Sequence, residues 1–309
     1  MKKILPLLLT LILFASCSPA PQSSDGEATL RIVTTMFPQY DFARAIAADN
    51  ADITMLLPPG GESHSFEPTP KDIIAIRECD IFIYTGGESD AWVETVLSSA
   101  DMSNTEIITL LDCVDAVTEE ITEGMETAEP EDGEYDEHVW TSPKNVKLIT
   151  ERIRGALSRR DPANSALYAA NAESYSAKLD GLDAEFRAVT DAAARKTLVF
   201  GDRFPFRYFA DEYGLDYYAA FPGCSSETEP SAATVSFLID KVKELKIPVI
   251  FHIELSNEKI ARSIAESTGA EVLLFHSVHN ITKEDFQSGK GYLEFMAANV
   301  GALRAALQN

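Results

Sequence analysis

The sequence contains five histidines, His64, His138, His252, His276 and His279. Neutral imidazole is the commonest protein ligand for transition metals, and zinc accepts three of them plus a fourth group. His64 lies in the stretch PPGGESHSFEPTP, residues 58–70, bounded by Pro58-Pro59-Gly60-Gly61 and Pro68-Thr69-Pro70. Proline fixes φ and glycine admits unusual φ, so both ends of this loop are conformationally prescribed. A side chain framed in this way is held in place before its ligand arrives, which lowers the ordering cost of binding.

The elements that must position these side chains follow a simple alternation. From Leu30, LRIVTTM reads as a strand and FPQYDFARAIAA as a helix with Pro38 in its first turn. DITMLL, DIFIYTG and TEIITL read as further strands, separated by the helices PKDIIAIREC and SDAWVETVLSS. A helix SPKNVKLITERIRGALSRR follows a long loop. Another starts at Asp161-Pro162 and runs to about Arg195, with Tyr168, Tyr175, Leu179, Leu182, Phe186 and Val189 on one buried stripe. Then TLVFGD, LDYYAAF, IPVIFHI and AEVLLFH alternate with helices, and a last helix begins near Gly291. The fold class is therefore α/β, with two Rossmann-like lobes whose four-stranded, mainly parallel sheets are joined by a long helix. The expected division is a signal segment 1–16, a tether 17–28, a first lobe 29–160, the linking helix 161–195 and a second lobe 196–309.

On this scheme His64 follows the second strand of the first lobe, His138 lies in the loop after its fourth strand, and His276 ends the fourth strand of the second lobe. Open parallel sheets bind ligands beyond the carboxyl ends of their strands. Three histidines thus emerge where two lobes would face each other. His252, near a strand end, and Glu254, just before a helix, have adequate structural readings.

The net charge of -23 excludes nucleic acid as a partner class and favours a cationic ligand. MKKILPLLLTLILFASC has the basic start and short apolar run of a secretory signal peptide, and Ser, Pro and Gln then dominate to about Glu27 as in a flexible tether. Leaving out Cys17, the cysteines are Cys79, Cys113 and Cys224, too sparse a set for a disulfide framework. If the strands beside Cys79 and Cys113 run parallel, those two sulfurs sit at opposite ends of the sheet.

PPGGESHSFEPTPKD, DAWVETVL, DEHVWTSPKN, RYFADEYGL, ETEPSAATV and IARSIAESTGAEV together resemble the zinc- or manganese-binding lipoproteins of bacterial ABC transporters, the cluster A-I or cluster 9 solute-binding proteins. The resemblance spans nearly the whole chain after the tether. It implies one metal in the cleft between the lobes and hand-over to a membrane permease driven by ATP hydrolysis. A monomeric binding protein is expected, not an enzyme; HExxH and comparable hydrolase motifs are absent. Phe14-Ala15-Ser16-Cys17 resembles a lipobox and implies lipidation of Cys17 and an extracytoplasmic, membrane-anchored protein at the cell surface or in the periplasm; an ordinary signal with a nearby free cysteine is the alternative. Some relatives also act as adhesins.

Carried over by position, His64 is the family's first metal ligand and His138 its second. The third, normally histidine or glutamate after the first strand of the second lobe, falls on Arg203 or Gly201, and neither can donate to a metal. The fourth falls on His276, with His279 close enough to compete. Candidates for the missing donor are Asp202, Cys224, Glu227 and His279. Imidazole- or thiolate-rich sites suit zinc and carboxylate-rich sites manganese, so zinc is the expected cargo, with manganese the alternative. Between Thr118 and His138, in the loop 116–137, ten acidic residues occur with no basic one. This loop is expected to be mobile, and either to concentrate cations near the cleft or to be a solvated insertion without a metal role.

Overall fold

Short apolar strands separated by amphipathic helices pair in parallel, because each helix returns the chain to the edge from which the previous strand began. The computed structural model describes residues 29–63, 66–125, 134–225 and 229–308. The expected signal segment, the tether with Cys17, His64, Glu227 and residues 126–133 of the acidic loop lie outside the described residues.

In the first lobe β1 (Leu30–Thr34), α1 (Phe37–Ala47), β2 (Ala51–Met55), α2 (Pro70–Glu78), β3 (Ile81–Tyr84), α3 (Ala91–Ser98) and β4 (Glu106–Thr109) form a sheet of order β2-β1-β3-β4. Two helices, α4 (Pro143–Arg160) and α5 (Ser165–Asp191), lead to the second lobe. There β5 (Thr197–Phe204), α6 (Arg207–Tyr213), β6 (Asp216–Pro222), α7 (Ala232–Leu245), β7 (Val249–His252), α8 (Lys259–Thr268) and β8 (Glu271–Leu274) form a sheet of order β6-β5-β7-β8. The pairings within both sheets are parallel throughout. The two orders correspond strand for strand, so the turn after β6 is the counterpart of the turn after β2. A short α9 (Lys283–Ser288), absent from the sequence expectation, precedes α10 (Tyr292–Gln308).

The linking helix is shorter than its periodicity suggests. Pro162–Asn164 forms a separate 3-10 turn, held by the Asp161 carboxylate, which accepts from the Asn164 backbone N–H at 3.3 Å and from the Tyr168 hydroxyl at 2.6 Å. The 27 residues of α5 then span about 40 Å at 1.5 Å each. The helix ends at Asp191 because the following chain docks elsewhere: Ala194 N–H donates to Leu307 O at 3.1 Å.

Both sheets bury their inner faces in one continuous apolar core. Ile32 and Phe42 of the first lobe, Ile153 of α4, Leu179 and Phe186 of α5, and Phe200 and Phe251 of the second lobe all belong to it. Separate clusters fill the outer faces, around Phe82 and Val93 in one lobe and Ile250 and Ile264 in the other. The last helix folds back across α5 to the first lobe. Tyr292 meets Phe42 at 5.2 Å between ring centroids, Phe295 meets Phe37 at 6.3 Å, and Tyr292 N–H donates to Asp41 at 2.8 Å.

The described stems of the acidic loop make specific contacts with each other and with the second lobe. Thr118 bridges Tyr135 in an antiparallel pair, and the Phe237 ring lies against Gly124. Glu120 pairs with Arg207 at 2.9 Å and accepts from the Tyr217 hydroxyl at 3.0 Å. Opposite charge and aromatic hydroxyls of the second lobe replace the apolar set that the loop lacks.

Gly201 sits where α8 approaches β5. A Cβ there would lie 2.5 Å from both N and Cα of Ala261. The β5–β6 register also shifts between Phe200 and Arg203. Gly201→Ala is expected to lower stability by about 1–3 kcal/mol through overpacking. An unchanged denaturant midpoint would mean that α8 retreats without cost.

Candidate metal centre

The segment Asp136–Trp140 carries His138 into the space between the lobes. The segment is secured from three sides. The Tyr208 hydroxyl donates to Asp136 O at 2.8 Å and receives Val117 N–H at 3.2 Å. Glu137 accepts from Ser89 N–H at 2.8 Å. The Trp140 indole donates to Ser277 O at 2.8 Å, and the Tyr292 hydroxyl donates to Trp140 O at 2.8 Å.

His138 is completely buried. Asp136 Oδ1 accepts its backbone N–H at 2.8 Å and lies 3.1 Å from its Nδ1. A carboxylate there holds the proton on Nδ1 and leaves Nε2 as a lone-pair donor. That Nε2 is buried and has no hydrogen-bond partner among the described residues. Buried polar atoms are normally satisfied, so this nitrogen is a candidate ligand atom for a metal. Burial by itself would lower the pKa of His138, but the carboxylates of Asp136, Glu137 and Glu119 outweigh it and the net shift is upward.

His279, not His276, is the histidine brought to His138. Their rings meet edge to face with centroids 5.2 Å apart, and Trp140 lies 5.4 Å from His279. The turn after β8 produces this placement. Glu254 accepts from Ser277 N–H at 2.7 Å, the Ser277 hydroxyl at 2.6 Å and His279 N–H at 2.9 Å. Between them Val278 adopts φ 59°, a costly conformation for a β-branched residue that the Glu254 clamp sustains. The structural reading of Glu254 thus acquires a role: it aims His279.

His276 stays behind this turn. Its backbone exchanges hydrogen bonds with the Asn299 amide at 2.7 and 2.8 Å, and its ring packs on Phe295 with centroids 5.0 Å apart. It lines a cavity of about 200 Å³ with His252, Glu258 and Asp285, among whose walls neither His138 nor His279 is found. Burial is the main reason its pKa is lowered.

The loop that carries His64 is anchored through its described neighbours. Asn280 of the second lobe donates to Pro58 O at 3.0 Å and Gly61 O at 2.8 Å. The Ser63 hydroxyl shares a 2.8 Å hydrogen bond with His279 Nε2. Phe66 packs on Trp92 with centroids 5.9 Å apart.

The other candidates divide. Asp202 Oδ1 accepts from Arg203 N–H at 2.8 Å and Oδ2 from Ile253 N–H at 3.3 Å, so both oxygens are engaged within the second lobe. Cys224 is half-buried and forms no disulfide among the described residues, and its backbone N–H donates to Glu119 at 2.9 Å. Burial, then the carboxylates of Glu137, Asp136 and Glu119, push its thiol well up. Among the described residues no three His, Cys, Asp or Glu side chains stand together at metal-holding spacing; the nucleus is the His138–His279 pair. Sequence reasoning missed Asp136 and Glu119. The signal for Asp136 was the string DEH, with a carboxylate two residues before an imidazole.

Asp90 braces the same region from below. It accepts from Thr85 N–H at 2.7 Å and Gly86 N–H at 3.2 Å, and burial pushes its carboxyl up to about 7. Its contribution to stability is complete below the unfolded value of 3.8 and is lost as pH rises through about 7. Asp90→Asn should flatten this loss in unfolding curves taken across that range; an unaltered pH profile would assign the slope to other groups. Asp136→Asn should weaken metal binding about 10- to 100-fold, as expected for loss of an imidazole-orienting carboxylate. Chelator competition measures it, and unchanged affinity would mean that His138 needs no such support.

Residues 32–306 match the family model described as zinc-uptake complex component A, periplasmic. The chain is 32% identical over 302 residues to the high-affinity zinc uptake system protein ZnuA of Bacillus subtilis, covering 96% of this chain and 94% of that one. It spans 61% of the length of the zinc-binding lipoprotein AdcA of Streptococcus pneumoniae, at 31% identity and over 98% of its own length. The Zn(II)-bound ZnuA-like domain of that AdcA is similar in structure, with a TM-score of 0.77 at 30% identity, covering 91% of this chain and all of that domain (100%).

Proposed function

The chain belongs to the family of periplasmic zinc-uptake complex component A proteins, and we propose that it captures Zn²⁺ outside the cytoplasm and delivers it to the permease of an ABC transporter. The observation that carries this reading is the buried Nε2 of His138, without a hydrogen-bond partner among the described residues, oriented by Asp136 and set beside His279. His138 and His279 are the ligands assigned from the two lobes. His64 is the third, one residue beyond Ser63, whose hydroxyl is already bonded to His279. His276, packed on Phe295, is left out of the set. An imidazole-rich donor set favours zinc over manganese.

The surrounding carboxylates attract the cation and compensate its charge once it is dehydrated. The shared core between the lobes makes large hinge closure costly, so capture and release proceed through the loops that carry the ligands. Lipidation of Cys17 would keep the protein at the membrane beside its permease.

Chelator-competition titrations with Zn²⁺ and Mn²⁺ in parallel test this reading. Tight one-to-one Zn²⁺ binding is expected, with Mn²⁺ much weaker, and His138→Ala or His279→Ala should abolish it. Equal or better Mn²⁺ binding would overturn the zinc assignment. Protons compete for the imidazoles, so affinity should fall as pH drops, beginning above about 6.5 because His138 is shifted upward. Affinity that stays flat from roughly pH 7.5 to 5.5 would rule out histidine ligation.

A further inference from the structure

The second lobe offers no donor where β5 reaches the cleft. Gly201 has no space for a side chain against Ala261. Both carboxylate oxygens of Asp202 are engaged by backbone N–H groups. Arg203 is a cation that reaches Ser225 O at 3.2 Å and Glu62 at 3.4 Å.

The turn after β6 is differently placed. By sheet order it corresponds to the turn after β2, which leads into the His64 loop. A Cβ built on Gly223 would lie 3.1 Å from Cε1 of His138, the carbon bonded to the buried nitrogen that has no partner among the described residues. Glycine is therefore the residue that lets this turn close on the imidazole edge. The next residue is Cys224. Its backbone N–H is clipped to Glu119 of the first-lobe strap at 2.9 Å, and the backbone N–H of Glu137, the neighbour of His138, points at its sulfur. The thiol is thus tied to the stretch of chain that presents His138, although it comes from the opposite lobe.

We propose that Cys224 supplies a thiolate ligand to the captured Zn²⁺, taking the place of the donor that β5 lacks. This rests on the zinc-capture reading above and deepens it. On binding, the S–H bond breaks, the sulfur lone pair forms the S–Zn bond, and the proton leaves to solvent. A soft thiolate beside the histidines strengthens the preference for zinc over manganese. It also makes capture dependent on a reduced cysteine, since a sulfenic acid or disulfide at Cys224 removes the donor.

The test is Co²⁺ loading of the purified full chain, with Co²⁺ as the spectroscopic stand-in for Zn²⁺. The expected spectrum has a near-ultraviolet thiolate-to-cobalt charge-transfer band beside the visible ligand-field bands of a tetrahedral site. Cys224→Ser should lose the charge-transfer band while still binding Co²⁺, and its Zn²⁺ affinity should fall roughly tenfold or more. Cys79→Ala and Cys113→Ala should keep the band. Cys224→His should bind Zn²⁺ tightly without it, which covers the case in which the serine variant folds poorly. Stoichiometric Co²⁺ binding by the unaltered chain without the band overturns the thiolate and leaves zinc capture standing, with Glu119 the next donor to examine. Persistence of the band in Cys224→Ser overturns it equally. Failure of the unaltered chain to bind either Co²⁺ or Zn²⁺ would overturn the capture reading itself.

Discussion

One continuous apolar core fixes the relation between the two sheets, and the candidate metal centre depends on that relation. The inner faces of both sheets pack on α4, α5 and α10 without a break between lobes. His138 comes from one lobe, His279 and Cys224 from the other. Their separation is therefore set by side-chain packing tens of residues away, and interiors packed at crystal-like density deform little. The linking helix contributes by burying one face in this core rather than by acting as a free rod.

On that frame the centre is assembled by polar clamps, each of which holds a loop by its backbone. Asn280 grips the Pro58–Gly61 turn across the cleft, Glu254 gathers Ser277 and His279, and Asp136 fixes the imidazole of His138. The fixed dipoles and charges are in place before the cation arrives. Several carboxylates stand close to His138, and burial raises the pKa of Glu119 and Glu137. A divalent cation bound among them would relieve the cost of holding them together.

The strand–helix alternation was legible because short apolar runs and 3.6-residue stripes report burial directly. Parallel pairing and the correspondence of the two lobes followed from it. That His279 rather than His276 lies beside His138 was not legible. It turns on a left-handed φ at Val278 and on a carboxylate more than twenty residues upstream, and neither leaves a periodic trace. The contacts of the acidic strap were hidden for a related reason. Composition describes what a segment lacks, but Glu119 and Glu120 are ordered by Cys224, Arg207 and Tyr217, far away in the chain. The separate 3-10 turn Pro162–Asn164 ahead of α5 was hidden because an Asp-Pro start fits a 3-10 turn as well as an α-helix.

The return of α10 to the first lobe also bears on the order in which the chain can fold. Domains commonly fold as units during synthesis, the N-terminal one first. Here Tyr292 and Phe295 complete the packing around Phe42 and Phe37, and Tyr292 N–H satisfies the buried Asp41. The packing around Phe37 and Phe42 is therefore complete only once α10 is in place.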